Sequence, residues 1–552
     1  MMISSEEIQV QTINHLGLIA GIIDEIGIEK IINDALGVDE REIVSAGQIV
    51  KAIILNGLGF ISRPLYLFPQ FFEDKATEHL IGKGICPEHL NDDRIGRIMD
   101  KLYEKGLSPL FLRIALAVVK KYNINIDFSH LDSSSFAVEG KYNQEKITDN
   151  FLEKNLTLER INQIPIKIIK GYSRDHRPDL KQFILDLIVS SDGDIPLFLR
   201  VASGNENDKA VFGKIASEYK SMIDFETMIV GDSALYTEKN LKLMNEIEWL
   251  SRVPLSIKDA LNLVSELPSS DFIPSSLEGY SWYEVSNNYA EIEQRWLIVE
   301  SEKRKSSDLE KLRKKIEKEK EKTEETLKKL RKEEFRSSEG AKDTILRLNK
   351  TLKYHQITAL KIKESELNNH RKKSPKKGKK LEKTYQITAV LKSDLTKIKE
   401  LEKRAGRFVL ATNRLDKNKF SADEMLIKYK EQQSAERGFG FLKDPLFFAD
   451  SVFLKSPKRI ETMAMLMGLC LLVYSLGQRE VRRLLKEKKT GIKNQLGKLT
   501  ERPTLRWIFQ CFQGIHLVIN KGIKQIVNLT NERKLILSFF PISCQNYYIL
   551  SG

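Results

Sequence analysis

The chain has 552 residues, 41% of them apolar and 30% charged, with a formal net charge of +14 and a pI of about 9.2. This is a soluble globular composition, long enough for three or four domains, and its basic balance points to a polyanionic partner, nucleic acid or an acidic membrane surface. Cys86, Cys470, Cys511 and Cys544 lie far apart without C-x2-C spacing, which excludes a zinc ribbon or disulfide framework and fits a reducing cytoplasm.

The start, MMISSEEIQV, carries neither a basic nor an apolar leader stretch, so no export signal is expected. Residues 1–120 predict a small helical domain. Apolar residues recur at three- and four-residue spacings in Ile22-Ile23-Ile26-Ile28 and Ile49-Ile53-Leu55-Leu58, and Asn91 can cap a helix running through Ile95, Ile98, Met99 and Leu102. DNA binding and a scaffold or dimerisation role are both open for this region.

Residues 121–255 predict an α/β domain with a mixed sheet. Ile124–Phe128 alternates with period two and leads into His130–Phe136 as a first strand. Phe183–Ser190 and Pro196–Val201 form a hairpin across the turn Ser191–Asp194, and Met228–Asp232 is a fourth strand ending on an acid. A helix over about 237–246 and a strand at Trp249–Val253 follow.

Residues 256–420 interrupt this domain with strand-like pieces, Ser281–Val285 and Arg295–Val299, and then a long charged stretch. Leu309, Leu312, Ile316, Leu327 and Leu330 keep an approximate heptad rhythm, with lapses at Glu319 and Thr323, and predict a helical hairpin with the run after Gly340. Residues 301–380 hold 28 Lys or Arg against 14 Asp or Glu, so this segment carries the whole +14 and the remainder balances to zero. It is open whether the segment grips DNA phosphates or is a solvated face. Arg371–Lys380, with seven cations in ten residues, predicts a solvated loop. Residues 421–552 return to the core: Ser421-x-x-Glu424 is a capping box, and Met- and Leu-rich helices fill about 460–488. The longest apolar run, Met463–Leu476, is too short to span a bilayer and predicts a buried helix.

The acids at the strand ends carry the chemistry. Asp132 is expected at the end of the first strand and Asp232 at the end of the fourth; adjacent strands would aim both carboxylates into one crevice. Two close carboxylates repel, and a divalent cation removes that penalty; Mg2+ takes a few carboxylates and completes its shell with water and phosphate oxygens. On the next helix Tyr429, Gln432 and Glu436 fall at i, i+3 and i+7, one face, with Lys443 continuing it unless Gly438 and Gly440 end the helix first. Such a face suits a DNA groove and a third carboxylate. Asp127 and Glu431 are nearby competitors. His130 and His176 are expected to be structural, and Trp249, Trp282 and Trp296 packing residues, with Trp282 or Trp296 also open as a base-stacking ring.

The spacing Y-x2-Q-x3-E-x6-K resembles the YREK motif of insertion-sequence transposases of the fourth such family, with Gln432 in place of the usual Arg. HLDSSSF, GYSRDHRPDLKQ, IVGDSALY, WLSRVP, GRFVLATN and LKDPLFFADSVFLKSPKRIE are similar to the same group in the same order, and the N-terminal region resembles its accessory helical domain. The resemblance implies an RNase H-like core whose DDE triad is Asp132, Asp232 and Glu436, interrupted by an insertion before the glutamate helix. It also implies two Mg2+ ions (or Mn2+), DNA contacts at Tyr429, Gln432 and Lys443, and a homodimer that pairs two transposon ends in a bacterial or archaeal cytoplasm. Gln432 cannot carry the charge of the usual Arg. The rivals are a nuclease of the same core without strand transfer and a non-catalytic DNA-binding relative.

Overall fold

The computed structural model describes residues 8–60, 62–138, 164–173, 176–366, 383–444 and 454–550. Arg371–Lys380 and parts of the quoted stretches at 171–182 and 442–461 lie outside the described residues. The chain divides into two compact units: one of residues 1–251, 289–292 and 426–552, the other of residues 252–288 and 293–425.

The first unit begins with strand β1 (Gln9–Thr12) and helices that include Leu16–Ile26, Ala46–Gly57, Asp92–Lys105 and Leu107–Tyr122. Local chemistry starts them as expected. Ser45 and Gln48 make a reciprocal capping box, and the Asn91 side chain accepts the Arg94 N–H. The next strands are β2 (Phe128–Val138), β3 (Lys181–Ser190), β4 (Pro196–Ser203), β5 (Met228–Gly231) and β6 (Trp249–Val253). Within this unit they stand in the order β4-β3-β2-β5-β6. β3 runs antiparallel to both of its neighbours, β4 and β2, while β2, β5 and β6 run parallel. The turn between β3 and β4 uses positive φ at Gly193 and Asp194, as a tight hairpin requires.

A 31-residue helix, Pro457–Glu487, is the spine of the unit, packing on β4 and on the helices Ala46–Gly57, Asp92–Lys105 and Leu107–Tyr122. By length and composition it is apolar enough to cross a membrane, but 89% of its apolar window is buried inside the protein, as a core helix requires. Its Glu461 is also buried. One carboxylate oxygen accepts the Ile166 N–H at 2.9 Å, and burial pushes its pKa up to about 8, against that hydrogen bond and Lys458.

The C-terminal part is not helical throughout: between the helices Leu505–Cys511 and Asn531–Leu537, His516–Asn520 and Ile523–Val527 are antiparallel strands joined at Lys521-Gly522, both with positive φ. β1 pairs with His516–Asn520, so the N-terminal helices and the chain's end fold together. Tyr548 Oη donates to the Asn14 carbonyl at 2.6 Å and accepts the Leu18 N–H at 3.1 Å. Gly21 admits this tail: a Cβ there would stand 2.3 Å from Cys544 Cα.

In the second unit, β7 (Ile273–Pro274), β8 (Tyr280–Tyr289) and β9 (Ile292–Ser301) are followed by helices Glu302–Leu330 and Ser338–Thr351, then β10 (His355–Glu366), β11 (Lys383–Ser393) and β12 (Arg407–Thr412). β12, β9, β8 and β7 lie side by side in that order, and β10 pairs only with β11. The expected pair of charged helices is present, but its apolar positions do not zip together alone. Leu327, Ala341 and Ile345 bury against Ile387 and Ala389 of β11. The two lapses in the heptad have partners. The Glu319 carboxylate accepts the N–H groups of Lys353 and Tyr354 and lies 3.0 Å from His355 Nδ1, and Thr323 Oγ1 donates to the Glu319 carbonyl.

Two measurements check this packing. Gly21→Ala is expected to destabilise the protein by about 1–3 kcal/mol, seen in denaturant unfolding, and to make the last helical turns more open to proteolysis. Glu461, with its folded pKa above the unfolded one, contributes stability that is complete below about pH 4.5 and lost as pH rises to about 8. Glu461→Gln keeps the acceptor for Ile166 and is expected to flatten stability against pH across that window, where the parent slope approaches about 1.4 kcal/mol per unit.

Candidate active site

The parallel pairing of β2 with β5 sets the site. Its register runs Phe128 with Met228, Ser129 with Ile229, His130 with Val230 and Leu131 with Gly231. The next residues in step are Asp132 and Asp232. In parallel neighbours such partners point to the same face, on strands about 4.8 Å apart. Asp132 does not end its strand, as the sequence suggested. It lies inside β2, which continues to Val138 against β3, and it is β5 that leaves. The crevice therefore opens where β2 loses one neighbour, because the chain turns away after Gly231.

That turn is built by Asp232 itself. Its Oδ1 accepts the Ala234 N–H at 2.8 Å, and its carbonyl accepts Ser251 Oγ from β6 at 2.7 Å and the Leu235 N–H at 3.1 Å. Asp132 Oδ1 accepts the Ser133 N–H at 2.8 Å. Both aspartates are half-buried. The competitor Asp127 is exposed before the start of β2, engaged with Asn125. His130, on the same face as Asp132, is fully buried with both ring nitrogens unpartnered, and burial lowers its pKa to about 4, so it is neutral and structural.

Glu436 comes from a helix that lies over this face. The expected single helix is two: Ala422–Lys430 and Gln433–Leu442. Between them, Gln432, Ser434 and Ala435 donate to the carbonyls three residues back, those of Tyr429, Glu431 and Gln432. Tyr429 therefore ends one helix, Gln432 is the N-cap of the next, Glu436 is in its first turn and Lys443 is its C-cap. The one-face pattern of an unbroken helix does not hold across 431–432. Gly438 and Gly440 do not stop the second helix. Gly438 instead lets it close on the sheet, since a Cβ there would be 3.1 Å from Leu187 and 3.3 Å from Leu471. Leu187 is the cross-strand partner of Asp132, which fixes the face. Further along, Phe439 packs 6.5 Å from the Phe136 ring, and Lys443 Nζ sits 5.1 Å over that ring.

Glu436 itself is exposed on the flank of this helix. Among the described residues, no three His, Cys, Asp or Glu side chains stand together closely enough to hold a metal ion. The structure thus brings Asp132 and Asp232 into step on neighbouring strands, with Glu436 on the solvent side of the helix that packs over that face. The donor set is hard carboxylate oxygen, which fits Mg2+ or Mn2+ better than a thiolate- or imidazole-seeking metal. Glu431, the other acid here, pairs with Lys428 at 3.0 Å, whose Nζ lies over the Phe128 ring.

Sequence reasoning missed the residue that ties the glutamate helix down. Arg437 makes two 2.7 Å bonds to Asp194, in the β3–β4 turn, and another to Ser434. Nothing local marks a pair 243 positions apart. Of the tryptophans, Trp249 and Trp296 are fully buried, so Trp296 is no base-stacking ring; Trp282 is half-buried with its Nε1 on Asp423 at 3.0 Å.

Two family models match the chain: a domain of unknown function, DUF4277, over residues 8–116, and a transposase DDE domain over residues 130–473. The second covers more than half of the chain and includes Asp132, Asp232 and Glu436. The chain belongs to this DDE transposase family, enzymes of DNA transposition. No curated protein matches it significantly. Among solved structures, a piggyBac transposase synaptic complex with hairpin DNA is similar at TM-score 0.37 and 8% identity, over 98% of this chain and 84% of that one. A likeness of that degree establishes no shared fold.

Gly438→Val is expected to lift the helix from Leu187 and cut strand cleavage by roughly tenfold to a hundredfold, with circular dichroism unchanged. Equal cleavage by this variant would separate the helix seat from activity.

Proposed function

We propose that the protein is the transposase of a bacterial or archaeal insertion sequence. It cleaves DNA at the element's terminal inverted repeats and joins the freed ends to target DNA. The observation that carries this reading is the in-step adjacency of Asp132 and Asp232, acids a hundred residues apart on parallel strands. The strand order β4-β3-β2-β5-β6, antiparallel then parallel, supports an RNase H-like core.

Asp132, Asp232 and Glu436 are the catalytic and metal-holding carboxylates in this reading. Two divalent cations, Mg2+ or Mn2+, would offset the repulsion of the facing acids, activate the attacking hydroxyl and stabilise the leaving oxygen. The protein's own groups position the DNA. Lys443 and Tyr429 contact phosphate, and Gln432 donates a neutral hydrogen bond where related motifs carry Arg. Glu436 joins the aspartates as its helix shifts on the glycine seat when DNA enters. A homodimer holds the two ends together, because both must be cut and joined in one event.

A second reading, a relative that binds DNA without cutting it, is favoured by the absence of a ready three-acid cluster among the described residues. One assay separates the two. With DNA carrying the element's ends, Asp132→Asn, Asp232→Asn and Glu436→Gln are each expected to reduce Mg2+-dependent nicking and joining to background while end binding is retained. Wild-type cleavage by any of the three removes that residue from the triad, and an uncut substrate with the parent protein in Mg2+ and Mn2+ favours the non-catalytic relative.

A further inference from the structure

The helix Glu302–Leu330 is exposed along most of its length, burying only Thr323 and Leu327. Four cations follow one another on one face of it, and the same spacing reaches an acid at each end of the run, Asp308 before and Glu325 after. Lys311, Lys315, Lys318 and Lys322 follow the spacing i, i+4, i+7, i+11, and at about 100° per residue they fall within roughly 60° of one another. All four are exposed. The acids Glu310, Glu317, Glu321 and Glu324 form their own strip about a third of a turn away. Cations on the acidic side answer them: Lys314 pairs with Glu310, and Lys320 with Glu317. Among the described residues, none of the four stripe ammonium groups forms an ion pair or hydrogen bond. The apolar face cannot compete for the same partner, because Leu327 is covered by the β10–β11 hairpin.

We propose that this lysine stripe is a docking surface for the phosphate backbone of duplex DNA. It would hold DNA without regard to sequence. Eleven residues of helix span about 16 Å, which matches roughly five nucleotides of one strand at about 3.4 Å of axial rise each. The helix Glu302–Leu330 itself holds 12 Lys or Arg against 8 Asp or Glu, and phosphates seated on its lysine row would release counterions. Four compact ammonium groups in one row suit phosphates as point charges, without base readout. The surface deepens the transposase reading and rests on it for the identity of the polyanion.

The test uses the full chain and a duplex without terminal repeats, so it needs neither cleavage nor end recognition. In the combined variant Lys311→Gln, Lys315→Gln, Lys318→Gln, Lys322→Gln, the slope of log binding constant against log salt is expected to become shallower by about three to four. The same four positions as Arg are expected to keep the parent slope, and circular dichroism and thermal unfolding report that the helix is intact. An unchanged slope in the Gln variant overturns the proposal, as does a change of oligomeric state with unchanged DNA binding, which would assign the stripe to a second copy of the chain. Because the triad variants are scored on cleavage and this one on salt dependence, either reading can fail while the other stands.

Discussion

Two like charges held side by side on neighbouring strands are the constraint around which the first unit is arranged. The β2–β5 register puts Asp132 and Asp232 in step where β5 turns away, and both are half-buried. Such a pair is costly unless a cation or a proton relieves it. The surroundings bear that cost with backbone donors: Ala234 and Ser133 N–H groups hold one oxygen of each carboxylate, and Ser251 fixes the turn from the next strand.

The glutamate helix is the adjustable part. It is seated by a missing side chain at Gly438 and pinned at its flank by Arg437 on Asp194, contacts to β3 and to the hairpin that β3 enters. The break at Glu431-Gln432 separates it from the helix that carries Tyr429. Its acid is exposed, whereas His130 in the sheet is buried.

The second unit follows a different logic. Its helices spend apolar residues sparingly, on a two-stranded hairpin, and leave most of their surface charged. Glu319, which looks like a fault in a heptad, stitches the helix to the start of β10, and Thr323 bonds back to the Glu319 carbonyl within the helix. A surface of this kind has little to offer a hydrophobic partner and much to offer a polyanion.

The strands of the core, the N-cap at Asn91, the capping box of Ser421 and Glu424, the buried helix around Met463–Leu476 and the acids Asp132, Asp232 and Glu436 as candidates were all legible in the sequence. Each depends on neighbours within a few residues: period-two alternation, a capping oxygen, an apolar run. Tertiary contact decided the rest. Glu431-Gln432-Gln433 are good helix formers, so nothing local announces the break between the two helices. Asp132 sits within a strand because residues 133–138 pair with β3 some fifty residues on, and Arg437 finds Asp194 only once the hairpin is folded. The clasp of β1 on His516–Asn520 joins the two ends of the chain. Backbone chemistry acts over one or two turns, whereas register, seating and exposure are set by whichever distant surface a segment must cover, and that partner is specified only by the folded whole.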